Sequence, residues 1–108
     1  MIDAQMKRGL LETCVLAVLL RGDSYGYQII KDLSRCITVS ESTLYPILRR
    51  LEGAGCLRVY TVEHNGRLRK MYAITPAGRS QIQTFLDGWQ EIAAIYTFIR
   101  EANIDDKA

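Results

Sequence analysis

Apolar residues recur along the chain at regular spacings, and the first part of the chain has a helical spacing. Residues 4–20 are good helix formers whose apolar side chains cover a wide arc. This pattern predicts a first helix that is buried on more than one side. Gly22 ends it, and Asp23 or Ser24 is expected to cap a short second helix over residues 25–35.

A single apolar stripe defines a third helix. Its members fall at i, i+3, i+4 and i+7 and are Leu44, Ile47, Leu48 and Leu51. Ser40 is the favoured N-cap, and Gly53 marks the end of the helix. Pro46 lacks a backbone donor, so we expect the first turns to be bent or weakly bonded on the outward face.

A β-hairpin follows, because Asn65 and Gly66 stand between two alternating segments and are the preferred pair for a two-residue type I′ turn. Pairing about this turn sets three pairs on one face, namely Leu57 with Ile74, Val59 with Tyr72, and Thr61 with Lys70. The tip of the hairpin is polar and cationic. Thr75 and Pro76 then supply an N-cap and a first helical residue.

The last predicted helix covers residues 76–101 and carries a heptad seam. The seam residues are Ile82, Phe85, Trp89, Ile92, Tyr96 and Ile99. This helix has more apolar surface than a small domain covers on one side, so we expect a helix from a second copy to pack on it. The alternative is that the seam docks only on the first helix. The predicted division is a domain over 1–75, a dimerisation helix over 76–102 and a disordered tail over 103–108.

Charge is unevenly placed, although the net charge of the 108 residues is only +2. Residues 38–74 hold six basic and three acidic side chains, whereas the residues from 80 onward hold two basic and five acidic ones. A basic middle and an acidic end predict that the middle contacts a polyanion. Ordinary solvated charge is the alternative.

Composition narrows the classes of function. The chain has three cysteines, Cys14, Cys36 and Cys56, without a CxxC motif, and this pattern disfavours a disulfide scaffold and a metal site. The single histidine, His64, lies beside the hairpin turn without a catalytic constellation around it, so we expect neither an enzyme nor a cofactor. No apolar segment reaches the roughly 18 residues of a membrane span, so we expect a cytoplasmic protein with reduced thiols.

The outward face of the third helix carries candidate chemistry. Opposite the apolar stripe lie Ser42, Pro46 and Arg49, with Thr43, Tyr45 and Arg50 on the shoulders. Hydroxyl, aromatic and guanidinium groups are the types that reach phosphates and base edges of a duplex. The alternative is a face that is merely solvated. Lys7 and Arg8 in the first helix could contact the DNA backbone, although solvated charge is the favoured interpretation for them.

Three blocks of sequence carry a resemblance to a known family. They are Tyr-Gly-Tyr-Gln-Ile at 25–29, Ser-Thr-Leu-Tyr-Pro-Ile-Leu-Arg-Arg-Leu-Glu at 42–52, and Gly-Arg-Leu-Arg-Lys-Met-Tyr-Ala-Ile-Thr-Pro-Ala-Gly at 66–78. Together they resemble the PadR family of bacterial transcriptional regulators over nearly the whole chain. The single long last helix is similar to the smaller subgroup of that family.

The resemblance implies a mainly α winged helix-turn-helix with a β-hairpin wing, followed by a long dimerisation helix. It implies a homodimeric repressor that places the third helix in the major groove of a palindromic operator and the wing at the flanking minor groove. The DNA-binding residues would be Ser40, Ser42, Thr43, Tyr45, Pro46, Arg49, Arg50, Asn65, Arg67, Arg69 and Lys70. Tyr25 and Tyr27 are expected to pack the second helix in place. A winged-helix adaptor that contacts proteins and not DNA is the alternative.

The resemblance also implies an effector site. In relatives with this architecture a tryptophan in the final helix flanks a cavity at the dimer interface that accepts flat aromatic or drug-like compounds, and Trp89 occupies the matching place. Met6 and Ala93 would be its neighbours. The dimer interface would be formed by Leu10, Ile82, Phe85, Trp89, Ile92, Tyr96 and Ile99. The alternative is an apolar seam that closes without a cavity.

Overall fold

The computed structural model describes residues 4–107, and these form four helices and one antiparallel hairpin. In chain order the elements are α1 (Ala4–Leu19), α2 (Gly26–Leu33), α3 (Glu41–Gly53), β1 (Leu57–His64), β2 (Arg67–Ile74) and α4 (Pro76–Lys107). This is the predicted mainly α winged helix-turn-helix, with the hairpin as the wing. The molecule is elongated, with extents of 67 × 26 × 22 Å, because α4 is 32 residues long.

One core joins the first three helices to the root of the hairpin. The apolar stripe predicted for α3 is buried throughout, which confirms the helical period on which it was based. Leu16 of α1, Ile29 of α2 and Leu48 of α3 are fully buried in this core, and Tyr72 of β2 closes it. Since every element contributes to one contiguous core, α3 and the wing have fixed positions relative to each other.

The hairpin has the predicted register. Leu57 pairs with Ile74, Val59 with Tyr72, and Thr61 with Lys70. Asn65 and Gly66 have φ values of 51° and 78°, as a type I′ turn requires. The sequence signal was sufficient here because a two-residue turn fixes the pairing of the strands on both sides of it.

The start of α2 differs from the prediction that Asp23 or Ser24 caps it. The N-cap is Tyr25, whose side chain makes no capping hydrogen bond. Ser24 instead pairs with Tyr72 of β2 through two backbone hydrogen bonds of 3.1 and 2.7 Å, and the Tyr60 hydroxyl donates to the Asp23 carboxylate. Both residues are engaged with the hairpin, more than thirty-five residues away, so a local capping pattern did not reveal their partners.

The first turn of α4 is fixed to the hairpin root. The Thr75 hydroxyl donates to the Gly55 carbonyl at 2.6 Å and accepts from the Gly78 amide at 3.1 Å, as expected of an N-cap. Gly78 is buried, and a Cβ there would lie 2.2 Å from the Cys56 carbonyl oxygen. The two turns that begin α4 therefore pack with the winged domain.

The other end of α4 extends further than the sequence predicted. The helix continues to Lys107, so residues 103–107 are helical where a disordered tail over 103–108 was expected; Ala108 lies outside the described residues. No glycine or proline follows Gly88, so nothing in the local sequence stops the helix. Polarity alone was a poor indicator of disorder here.

Candidate nucleic-acid interface

The start of α3 presents a cluster of hydroxyl groups. Ser40 is the N-cap, as predicted, and its Oγ accepts from the Thr43 amide at 3.3 Å and lies 2.9 Å from the Ser42 hydroxyl. All three side chains are exposed. Because the positive end of the helix dipole lies at this position, the cluster is suited to a phosphate group.

The middle of α3 exposes the predicted face. Tyr45, Pro46 and Arg49 are all exposed, and the helix is continuous through Pro46. The Tyr45 hydroxyl lies against Gly26, where a Cβ would approach to 2.5 Å, so α2 and α3 cross closely at this point. This close crossing holds the Tyr45 ring beside the start of α2.

Arg50 has a partner within the chain. Its Nε donates to the carboxylate of Glu12 on α1, and the Arg50 side chain is 44% exposed. A pair with this exposure contributes at most about 1 kcal/mol to stability, but it directs the guanidinium toward α1. Of the two adjacent arginines, Arg49 is therefore the one turned toward the wing.

The α3 face and the wing meet in a small hollow of about 100 Å³. Tyr45 and Arg49 of α3 line it together with Lys70 and Tyr72 of β2. Lys70 lies on the Thr61 side of the hairpin, which is the side that faces α3. The structure thus brings the cation of Lys70 next to that of Arg49, which the sequence left open.

Tyr72 at the base of this hollow has an altered acidity. Burial raises the pKa of its hydroxyl above 10.0, and the neighbouring Tyr45 and Glu52 add to the rise while Arg49 opposes it. The phenol therefore remains neutral at physiological pH.

The tip of the wing is open to solvent. Asn65 and Arg67 are exposed at the turn, and Leu68 is 78% exposed. Arg69 has a partner within the chain: its guanidinium stacks at 3.8 Å over the Tyr25 ring, and its side chain is half-buried. Register alone does not show that Tyr25, at the start of α2, lies beneath this strand.

Two further features lie beside the interface. Tyr27, expected to pack α2 in place, is 66% exposed and lies with Tyr45 along a groove that reaches the wing. Lys7 and Arg8 of α1, for which solvated charge was favoured, border a hollow with Thr43. A helical wheel of α2 indicates the exposure of Tyr27, whereas the position of Lys7 and Arg8 depends on how α1 crosses α3.

The residues assigned to an effector site and to dimerisation lie along α1 and α4. Trp89 is 47% exposed and stacks on Phe85, with ring centroids 6.2 Å apart. Met6 and Ala93 are exposed, and Leu10 is half-buried. Ile82 is half-buried against the chain's own core, whereas the other seam residues, which are Ile92, Tyr96 and Ile99, are at least 50% exposed.

Two kinds of feature are absent from the described part of the chain. Residues 4–107 contain no group of three or more His, Cys, Asp or Glu side chains arranged to hold a metal ion. None of the helices in this range has the length and hydropathy needed to cross a membrane.

A family model for the transcriptional regulator PadR-like family matches residues 15–84, which include the helix-turn-helix, the whole wing and the root of α4. The chain belongs to the PadR-like family. Its similarity extends to the transcriptional regulator Rv3488 of Mycobacterium tuberculosis, which is 32% identical over 90 residues, covering 82% of this chain and 84% of that protein.

Solved structures show the same architecture. A PadR-like transcription factor from Bacteroides fragilis matches with a TM-score of 0.80 and 34% identity, over 89% of this chain and 95% of that one. PadR of Bacillus subtilis, solved in complex with operator DNA, matches with a TM-score of 0.64 and 26% identity, over 71% of this chain and 45% of that longer protein. The winged-helix fold of this PadR-like regulator is therefore shared with a protein that has been seen on DNA.

Proposed function

We propose that this PadR-like regulator binds double-stranded operator DNA as a homodimer and represses transcription. The observation that carries the proposal is the hollow at which Arg49 of α3 meets Lys70 of the wing, beside an α3 face whose polar side chains are exposed. Cations that two elements contribute to one side of a winged helix are suited to the phosphates of a duplex. The operator-bound structure of the Bacillus subtilis relative supports the same use of the fold.

Roles follow from position within this surface. Ser40, Ser42 and Thr43 would contact phosphate at the start of α3, where the helix dipole assists them. Tyr45 and Arg49 would reach base edges or sugars in the major groove. Arg67 and Asn65 at the exposed tip would lie at the flanking minor groove. Pro46 would border the groove, while Lys70 would contact the backbone between the two elements.

Arg50 and Arg69 would take lesser parts. Their guanidinium groups are engaged by Glu12 and by the Tyr25 ring, respectively. A cation held in this way still contributes to the positive potential of the surface. Neither is expected to supply specificity, because a base contact would have to break the existing interaction.

Dimerisation through α4 would bring two such surfaces to a palindromic site. Its support is the exposed apolar seam beyond Phe85, because long apolar stripes on a helix are normally covered. In the dimer Trp89, with Met6 and Ala93 nearby, would border a cavity for a flat aromatic effector that relieves repression. We place this activity in the cytoplasm, as expected of a transcriptional regulator.

The proposal is tested by measuring the affinity of the protein for duplex fragments of the promoter upstream of its own gene. Fluorescence anisotropy gives this affinity at a series of salt concentrations. A duplex binder loses affinity steeply with salt, with log K falling by about 0.9 per phosphate neutralised for each unit of log salt concentration. A protein-contacting adaptor would show no duplex affinity at any salt concentration.

Arg49→Ala tests the assigned face. It should weaken operator binding by about 1–3 kcal/mol while thermal melting is unchanged. Arg79→Ala, which removes an exposed arginine in the first turn of α4, is the matched control and should bind like the wild type. Equal losses in the two variants, or unfolding of Arg49→Ala, would mean that the face is wrongly assigned.

A further inference from the structure

A hollow between α1 and α2, away from the α3 face, contains two of the three thiols. It has a volume of about 330 Å³ and is lined by Cys14, Ala17 and Val18 of α1 and by Leu33 and Cys36 at the end of α2. The two cysteines are far apart in sequence, one in the middle of α1 and the other in the turn after α2. Packing of α2 on α1 brings them to one place.

The two thiols line the same hollow and differ in exposure. Cys14 is half-buried, whereas Cys36 is exposed. Burial raises the pKa of the Cys14 thiol, and the neighbouring Cys36 adds to the rise. Cys14 therefore stays protonated at neutral pH, while Cys36 is the more accessible of the two to small molecules in solution.

The third cysteine is in a different environment. Cys56 is buried at the root of the hairpin, and its Sγ donates to Oε1 of Gln81 at 2.9 Å. It lines neither the hollow nor any surface shared with the other two. Cys56 is therefore the internal control in an oxidation experiment, because it has no cysteine beside it.

We propose that Cys14 and Cys36 form an oxidation site that takes hydrogen peroxide as its oxidant and closes into a reversible intramolecular disulfide. Two thiols that line one hollow can be brought to bonding geometry by rotation of their side chains. The adjoining hollow provides space for the rotations and for the entering peroxide.

The reaction proceeds in two balanced steps. Cys36 sulfur attacks one peroxide oxygen, the O–O bond breaks, and the Cys36 thiol becomes a sulfenic acid with release of one water. Cys14 sulfur then attacks the Cys36 sulfur, the S–O bond breaks, and the hydroxyl leaves with the Cys14 proton as a second water. Two thiols are oxidised by two electrons in total, and one peroxide is reduced to two waters. A dithiol reductant reverses the change.

The disulfide would act on the turn that leads into α3. Cys36 is four residues before Ser40, the N-cap of α3, and the intervening Val39 is buried in the core. A covalent bond from this turn to α1 would shift the start of α3 relative to α2. This consequence rests on the proposed function, and we expect about a tenfold loss of operator affinity, within the usual range for coupled sites.

The chemical step is tested without DNA. The reduced protein is treated with hydrogen peroxide, remaining thiols are alkylated, and the intact and digested protein is measured by mass spectrometry. We expect one alkylated thiol, at Cys56, and a peptide cross-link between Cys14 and Cys36 that a reductant removes. Cys56→Ser should give the same cross-link, whereas Cys14→Ser should stop at oxidised Cys36. Free, alkylated Cys14 in the oxidised wild type, or a cross-link between two chains, would overturn the site.

The coupling is tested with the same samples on operator DNA. The oxidised wild type should bind about tenfold more weakly than the reduced protein, and Cys14→Ser should show no such change after the same treatment. Equal affinities of the cross-linked and reduced wild type would overturn the coupling but not the disulfide. If no duplex is bound in either state, the proposed function fails while the cross-link is still measured by mass.

Discussion

The two halves of α4 have the same helical backbone but different surroundings. In the first turns, Gly78 lies against the hairpin root, Gln81 accepts from Cys56, and Ile82 packs on the core. Beyond Phe85 every described side chain is exposed, including Trp89 and Phe98. One helix therefore belongs to the winged domain at its start and projects as an apolar surface further on.

This difference separates a part of the chain that fills its own core from a part whose apolar side chains remain exposed. Burying one large apolar side chain stabilises a protein by about 1.5–3 kcal/mol, so an exposed row of them represents a large unused stabilisation. The winged domain has already gained this stabilisation in its own core. Under the proposed function, the distal half of α4 gains it from a second copy.

The largest effect should come from a charge in the distal seam. Ile92→Asp would place an unpaired carboxylate in the proposed interface, at a cost of several kcal/mol. We expect loss of the dimer in sedimentation equilibrium. Gln90→Asp, on the opposite side of the helix, is the control and should leave the dimer intact. An unchanged dimer in Ile92→Asp would remove this part of α4 from the interface.

Two glycines of α4 allow the halves to be compared directly. Gly78→Ala puts a Cβ 2.2 Å from the Cys56 carbonyl oxygen, and we expect a loss of about 1–3 kcal/mol in the free energy of unfolding. Gly88→Ala meets no atom within 4 Å and should stabilise the helix by about 0.5–1 kcal/mol. Chemical denaturation measures both. A destabilised Gly88→Ala would instead indicate close helix packing at that point in the assembled protein.

A smaller effect on stability should distinguish the two arginines of the wing, Arg67 and Arg69. Arg69→Ala removes the stack over Tyr25 and should lower the free energy of unfolding by about 0.5–1 kcal/mol. Arg67→Ala, at the exposed turn, should leave it unchanged and lower only operator affinity. Thermal melting and anisotropy of both variants are the measurements. If the two melt alike, the cation–π contact has no stabilising role.

The smallest effect is a pH dependence at the wing root. The pKa of Tyr72 is raised by burial, so the unfolded chain loses this proton at a lower pH than the folded one. The stabilisation from this group is therefore complete below about pH 10 and declines above it. In denaturant titrations across that range, the free energy of unfolding should decline less with pH for Tyr72→Phe than for the wild type. Parallel declines in the two proteins would mean that Tyr72 is not the source of the pH dependence.

Much of the fold was predictable because it depends on short-range patterns. The stripe from Leu44 to Leu51 and the Asn65-Gly66 turn each specify an element without reference to distant residues. The exposed face of α3 followed from the same stripe. The differences fell where a residue had a distant partner, as at Ser24, or where polarity was taken for disorder, as at residues 103–107.

The α3 stripe, the hairpin register, the caps at Ser40 and Thr75 and the family could be predicted from the chain alone, because each is encoded in neighbouring residues. Which polar side chains are engaged inside the chain depends on the packing of distant elements. Glu12 holds Arg50, and Tyr25 holds Arg69. Cys14 and Cys36 line one hollow for the same reason, because α2 packs on α1. Such contacts join residues far apart in sequence, and their existence depends on how helices and strands cross.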